Sequence, residues 1–201
     1  MHRWDIVNTL IEKNNYNRYL EIGYGTGLNF HNIQLVDKTS VDRGDGVNPG
    51  DTFCKYLMPS SEFFLMAKDV GLEKYDIIFI DGSHISEDVI NDVSNSLSFL
   101  NKGGTIVMHD CNPEEEAHQV VPDPRSGKWN GDVWKTFLHF RMTRDDLKMY
   151  VVDTDEGCGV IQWGSQELYP ENLGEGINYQ MFDKNRKDIL NLLSVEEFKS
   201  L

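Results

Sequence analysis

YLEIGYGTGLNF, Tyr19–Phe30, sets three glycines at alternate positions directly after an apolar run that carries one acid, Glu21. Glycine has no Cβ and reaches φ > 0 without strain, so Gly23, Gly25 and Gly27 let the chain turn sharply and approach a ligand closely. Tyr19, Leu20 and Ile22 read as a strand, and Leu28, Ile33 and Leu35 keep the spacing of a short helix after it. In an open α/β sheet this first strand-to-helix turn is where nucleotide-like cofactors bind.

The 201 residues suit a single domain with a substantial core. With 33 acidic against 19 basic side chains the net charge is −14, and no Lys or Arg run is interleaved with aromatics. That balance argues against nucleic acid or an anionic membrane as partner. Cys54, Cys111 and Cys158 are odd in number and far apart, which gives neither a disulfide framework nor a metal knuckle and fits a reducing, cytoplasmic setting. Residues 1–16 read as an amphipathic helix with Trp4, Val7, Leu10 and Ile11 on one face. Its apolar stretch is too short for a signal peptide or membrane span.

Beyond the glycine turn, strand-like and helix-like segments alternate, the pattern of a mostly parallel sheet covered on both faces. KTSVD, Lys38–Asp42, is a short strand ending in an acid, and KYLM is a weaker strand candidate. Ser60 and Ser61 are placed to cap a helix that turns Phe63, Ala67 and Val70 inward. YDIIFID, Tyr75–Asp81, is continuous enough in apolar residues to be a strand buried on both faces. Ile85, Val89, Val93, Leu97 and Leu100 keep helical spacing until NKGG stops the helix, and GTIVMHD forms the next strand. Glu21 thus lies in one strand, while Asp42, Asp81 and Asp110 close three others. That is the edge where ligands bind in doubly wound sheets, and charged groups are seldom buried there without a partner.

These residues resemble the class I S-adenosylmethionine-dependent methyltransferases over roughly residues 17–165. LEIGYGTG is similar to the family's first motif, and Asp42 to the acid that holds the ribose hydroxyls. FIDGSH and MHDCNP resemble more narrowly the small-molecule O-methyltransferase branch, catechol-type enzymes among them. The resemblance implies a single Rossmann-like, doubly wound α/β domain whose seven-stranded, mostly parallel sheet has an antiparallel last strand, with residues 166–201 as a C-terminal extension and helix. It implies S-adenosylmethionine as cofactor, with Glu21, Gly23, Gly25, Gly27, Asn29, Asp42, Ser60 (or Ser61) and Asp81 around it. It also implies a small-molecule acceptor, a sugar or natural-product hydroxyl, and leaves a homo-oligomer open. Asp81 and Asp110 resemble the two carboxylates that bind Mg²⁺ in the catechol-type branch, but Cys111 stands where the usual Asn ligand would be, with Asn112 one position late.

Oxygen methylation needs a deprotonated hydroxyl, so the chain must supply a base, a metal or good positioning alone; the candidate bases are His109, His84 and His118, with Asp110 beside them. Trp129, Asp132 and Arg125 are candidates to meet the acceptor, whereas Trp134, Phe137, Leu138 and Met142 read as a buried helix face. Two rivals remain. A dinucleotide oxidoreductase would use GxGxxG, whereas Gly23, Gly25 and Gly27 give GxGxG. A catalytically silent module would keep cofactor binding and lack turnover.

Overall fold

The computed structural model describes residues 1–170 and 176–201; residues 171–175 of the expected C-terminal extension lie outside the described residues. The elements follow as α1 (Arg3–Asn14), β1 (Arg18–Ile22), α2 (Leu28–Asn32), β2 (Asp37–Asp42), β3 (Tyr56–Leu57), α3 (Ser60–Asp69), β4 (Tyr75–Ile80) and α4 (Ser86–Phe99). They continue as β5 (Leu100–Met108), α5 (Val133–Thr143), β6 (Leu147–Val152), β7 (Cys158–Trp163), α6 (Tyr179–Leu190) and α7 (Val195–Ser200). The strands form one seven-stranded sheet in the order β3-β2-β1-β4-β5-β7-β6. Pairing is parallel from β3 through β5, and β7 runs antiparallel to both of its neighbours.

Two-residue alternation sorts the central strands onto two apolar layers. Leu20, Ile22, Ile78, Ile80, Ile106 and Met108 share a core with α3, α4, α5 and α6. Tyr19, Ile77, Phe79 and Val107 pack on the opposite side with Ile6, Val7, Leu10 and Ile11 of α1, Phe30 of α2 and Phe198 of α7. Trp134, Phe137 and Leu138 are buried as expected, and no helix among the described residues is long and apolar enough to cross a membrane.

Several local expectations are corrected. The helix after the glycine turn ends at Asn32, and Leu28 lies exposed, because Gly27 starts α2 and turns its first residue outward. Pro59, not a serine, precedes α3, and Val70 falls at its end, 65% exposed. α4 ends at Phe99, ahead of NKGG, so Leu100 is not helical, and NKGG itself lies inside β5, where the pairing with β4 is irregular between Tyr75 and Ile77. KYLM contributes only the two-residue edge strand β3.

Candidate active site

Three strand ends are brought level by hydrogen bonds that continue the parallel ladders. Gly23 N donates to Val41 O, Asp81 N to Ile22 O and His109 N to Ile80 O, at 2.8, 2.8 and 3.0 Å. Gly23 has φ +92°, and a Cβ there would collide with the main chain of Asp81 and Gly82, so only glycine lets β1 turn against the end of β4. The result is a groove of about 470 Å³ lined by Gly23, Gly25, Asp42, Ser60, Asp81 and Asp92, among others, a volume that suits a cofactor-sized molecule.

Asp42 faces this groove with its carboxylate organised by the turns on either side. Oδ2 accepts from Gly25 N at 2.8 Å and Oδ1 from Gly44 N at 2.6 Å. Ser60 does not cap its helix; its hydroxyl donates to Asp92 Oδ1 at 2.5 Å. Burial pushes the Asp92 carboxyl up to about 6, against the Ser60 hydrogen bond. Asp92 carries a signal that sequence reading missed, an acid on the inward face of α4 between Val89 and Val93.

Glu21, Gly27 and Asn29 lie outside the lining of the groove. Glu21 is 1% exposed and accepts hydrogen bonds from Tyr19 Oη and, at 2.9 Å, from Asn29 Nδ2. Burial, only partly offset by those bonds, pushes its pKa up to about 8. Glu21 Oε1 and Asn29 Oδ1 are buried and without a hydrogen-bond partner.

At the far end of the groove, past Asp81, charged groups gather. His84 Nε2 stands 3.5 Å from Asp81 Oδ1 and 3.3 Å from Asp110 Oδ2, and His109 Nδ1 is 2.9 Å from Asp110 Oδ2. Asp110 adopts φ +62°, a left-handed conformation that is uncommon outside glycine, and its Oδ1 accepts from Asn130 Nδ2 at 2.7 Å. Two residues here carry no local sequence signal. Arg3 Nη1 donates to Asp81 Oδ2 at 2.7 Å, and Asp155, from the β6–β7 turn, accepts from the Arg3 main-chain N at 2.7 Å and from Nη2 at 3.2 Å.

The electrostatics follow from this company. Burial lowers the pKa of His109, but the charges of Asp81 and Asp110 outweigh it and hold the imidazole well above its ordinary value; His84 is raised by the same carboxylates against the same burial. Burial alone would raise Asp81, yet His109, His84 and Arg3 keep its carboxyl well below the usual carboxylate range. His109 is 4% exposed, whereas His84 is the more open of the two.

The remaining candidates separate. His118 is not in the cluster; its carbonyl accepts from Asn130 N and Gly131 N and so shapes the loop. Trp129 stacks on His84 with ring centroids 4.7 Å apart. Asp132 Oδ1 accepts from Ser86 N at 2.7 Å, which occupies it in holding the start of α4, and Arg125 is exposed on the loop. Cys111 is fully buried with its Sγ against the Met108 and His109 carbonyls. Asn112 is turned away too, donating to Asp153 and accepting from Arg186. The three-oxygen Mg²⁺ set of the catechol-type branch is therefore not reproduced: two carboxylate oxygens are present, and the third converging donor is the His84 nitrogen.

The comparisons with known proteins agree with this architecture. Residues 51–111 match a family described as Methyltransferase domain. An O-methyltransferase of tomaymycin synthesis from Streptomyces achromogenes, solved with S-adenosylmethionine, superposes with a TM-score of 0.58 at 13% identity, covering 81% of this chain and 80% of that one. The chain has the class I S-adenosylmethionine-dependent methyltransferase fold. A Bacillus cereus O-methyltransferase with S-adenosylhomocysteine gives 0.55 at 15% identity, covering 79% and 78%. A Podospora anserina methyltransferase bound to S-adenosylhomocysteine gives 0.53 at 17%, covering 81% and 77%. An uncharacterised protein of Acanthamoeba polyphaga mimivirus is 39% identical over 62 residues, which cover 27% of this chain and 28% of that relative. Within the methyltransferase fold, the groove beside Gly23, Gly25 and Asp42 lies at the carboxyl edge of the parallel strands.

Proposed function

We propose that this chain transfers the methyl group of S-adenosylmethionine to a hydroxyl of a small polar acceptor, a sugar or natural-product intermediate. The observation that carries the reading is a groove that begins at Asp42 and the glycine turn and ends at Asp81, beside two histidines and a second carboxylate. In this reading Asp42 receives the ribose hydroxyls, Ser60 and Asp92 flank the base, and Asp81 marks the methionine end. Glu21 and Asn29 are tied to each other and to Tyr19 outside the groove lining.

The acceptor oxygen attacks the methyl carbon in line with the sulfonium; the O–C bond forms, the C–S bond breaks and its electron pair stays on sulfur. The acceptor's proton passes to a histidine of the cluster, in which Asp81 stays ionised. His84 is its more open nitrogen base, while His109, enclosed by Asp110, Asp155 and Arg3, holds Asp110 in place. The net charge of −14 and the lack of a Lys or Arg run interleaved with aromatics in the sequence favour a small acceptor over nucleic acid.

Methyl-labelled S-adenosylmethionine incubated with the protein and a small-molecule extract tests this. Label in low-mass products supports the reading. Label only in macromolecules contradicts the acceptor class, and cofactor binding without any transfer favours the catalytically silent alternative.

A further inference from the structure

Asp92 is a nearly enclosed carboxylate without a cation. Only 5% of the residue is exposed, its Oδ1 accepts from the Ser60 hydroxyl at 2.5 Å, and its Oδ2 has no hydrogen-bond partner among the described residues. Burial, with the like charge of Asp88 one turn earlier on α4, raises the carboxyl to about 6 against the Ser60 hydrogen bond. Asp88 is itself engaged, by the Ser83 hydroxyl at 2.8 Å. An acid this enclosed calls for a donor. Asp92 lines the groove, so the groove's occupant can supply one.

Strand order decides which donor faces it. β3 lies beyond β2, on the side away from β1 and β4; Leu57 pairs with Asp42 across the β2–β3 ladder, and Met58, Pro59 and Ser60 lead from it into α3. The Ser60–Asp92 pair therefore stands on the β3 side of Asp42, whereas Asp81 ends β4 on the other side. A nucleoside whose ribose meets Asp42 and whose amino-acid arm runs toward Asp81 turns its base to Ser60 and Asp92, where Val41, Met58 and Pro59 add apolar wall. With the hydroxyls on Asp42 and the ammonium on the arm, the donor left over is the 6-amino group of adenine. We infer that Asp92 is the specificity-determining residue for the base: Oδ2 accepts from the 6-amino group and rejects a 6-oxo purine, while Ser60 fixes the carboxylate through Oδ1. A 6-oxo group would set two acceptors face to face in an enclosed site. This departs from the expectation that Ser60 or Ser61 reads the base, because the Ser60 hydroxyl serves Asp92 and the reading residue comes from α4. The inference rests on the proposed cofactor and adds to it the residue that selects among purines.

The full chain is titrated calorimetrically with S-adenosylhomocysteine and with S-inosylhomocysteine, which carries a 6-oxo purine in place of adenine. The adenine ligand is expected to bind tighter by about tenfold or more. Asp92→Asn presents an amide whose N–H can turn to a 6-oxo group, so the preference should vanish or reverse. A purely structural Asp92 would weaken both ligands alike and keep their ratio; that outcome overturns the inference, as does equal binding of the two by the wild type. The wild type also decides the matter if Asp92→Asn does not fold. From about pH 7 to about pH 5 Asp92 gains its proton, and the preference should shrink because the protonated carboxyl can donate to a 6-oxo group. Groups at the other end of the groove, His84 and His109 among them, act on both ligands alike and cancel in the ratio. A ratio unchanged over that range overturns the inference. S-Adenosylhomocysteine binding without discrimination removes the role of Asp92 and leaves the cofactor reading standing; binding of neither ligand removes the cofactor reading and this inference with it.

Discussion

Glu21 shows how far one buried residue can shape the behaviour of the whole chain. Its folded pKa of about 8 lies above the ordinary 4.5, so between these values the folded state keeps a proton that the unfolded chain has lost. Stability therefore falls as pH rises through that window, by about 1.4 kcal/mol per pH unit for one such proton. Glu21→Gln keeps an acceptor for Tyr19 and Asn29 and removes the titration. Denaturant unfolding from about pH 5 to about pH 7 should show the wild type losing stability relative to the glutamine variant; a difference that stays flat with pH contradicts the burial argument. Asp42 acts on the ligand instead. Asp42→Ala should weaken S-adenosylhomocysteine by about 1–3 kcal/mol, measured by titration calorimetry on protein that circular dichroism shows folded. Because Asp42 also gathers the Gly25 and Gly44 amides, part of that loss reflects a looser turn. An unchanged affinity would make Asp42 a turn-organising residue only.

At the scale of elements, α1 does more than cover the sheet. It buries Ile6, Val7, Leu10 and Ile11 and delivers Arg3 to Asp81 and Asp155, residues 78 and 152 positions away in the chain. Arg3→Met removes one of the groups that hold the Asp81 carboxylate, beside His109 and His84, and for a partly exposed pair the expected cost is about 2 kcal/mol, below that of a fully buried one. Hydrogen exchange in the first turns of α1 should rise, and exchange unchanged from wild type would show that apolar packing alone fixes the helix. This pairing explains what the sequence left unread. An arginine in MHRWD and an aspartate in DTDEG have no spacing or periodicity that ties either to FIDGSH, because the link exists only once the sheet is formed. Local chemistry misled in the same way at Ser60, where a good capping residue instead serves Asp92, and at NKGG, where a turn-like string runs on as strand.

On the scale of the whole molecule, the strand order separates two families that share a glycine-rich first turn. The doubly wound dinucleotide sheet runs 3-2-1-4-5-6, whereas here the antiparallel β7 is inserted between β5 and β6. The first half of that sheet was legible because strongly apolar runs such as YDIIFID must be buried on both faces, and the acids that end them mark the ligand edge. The cluster was legible only as a set of strand-end residues; the rotation of His84 onto Trp129 and the withdrawal of Asn112 depend on loops whose partners lie far along the chain. The proposal that rests on the fold, groove and cluster together is that Gly23, Gly25 and Asp42 bind S-adenosylmethionine. Calorimetric titration of the purified chain with S-adenosylhomocysteine and, separately, with NAD tests that claim most directly. Saturable binding of S-adenosylhomocysteine with no heat from NAD is the expected result, and tight binding of NAD with none of S-adenosylhomocysteine would contradict it.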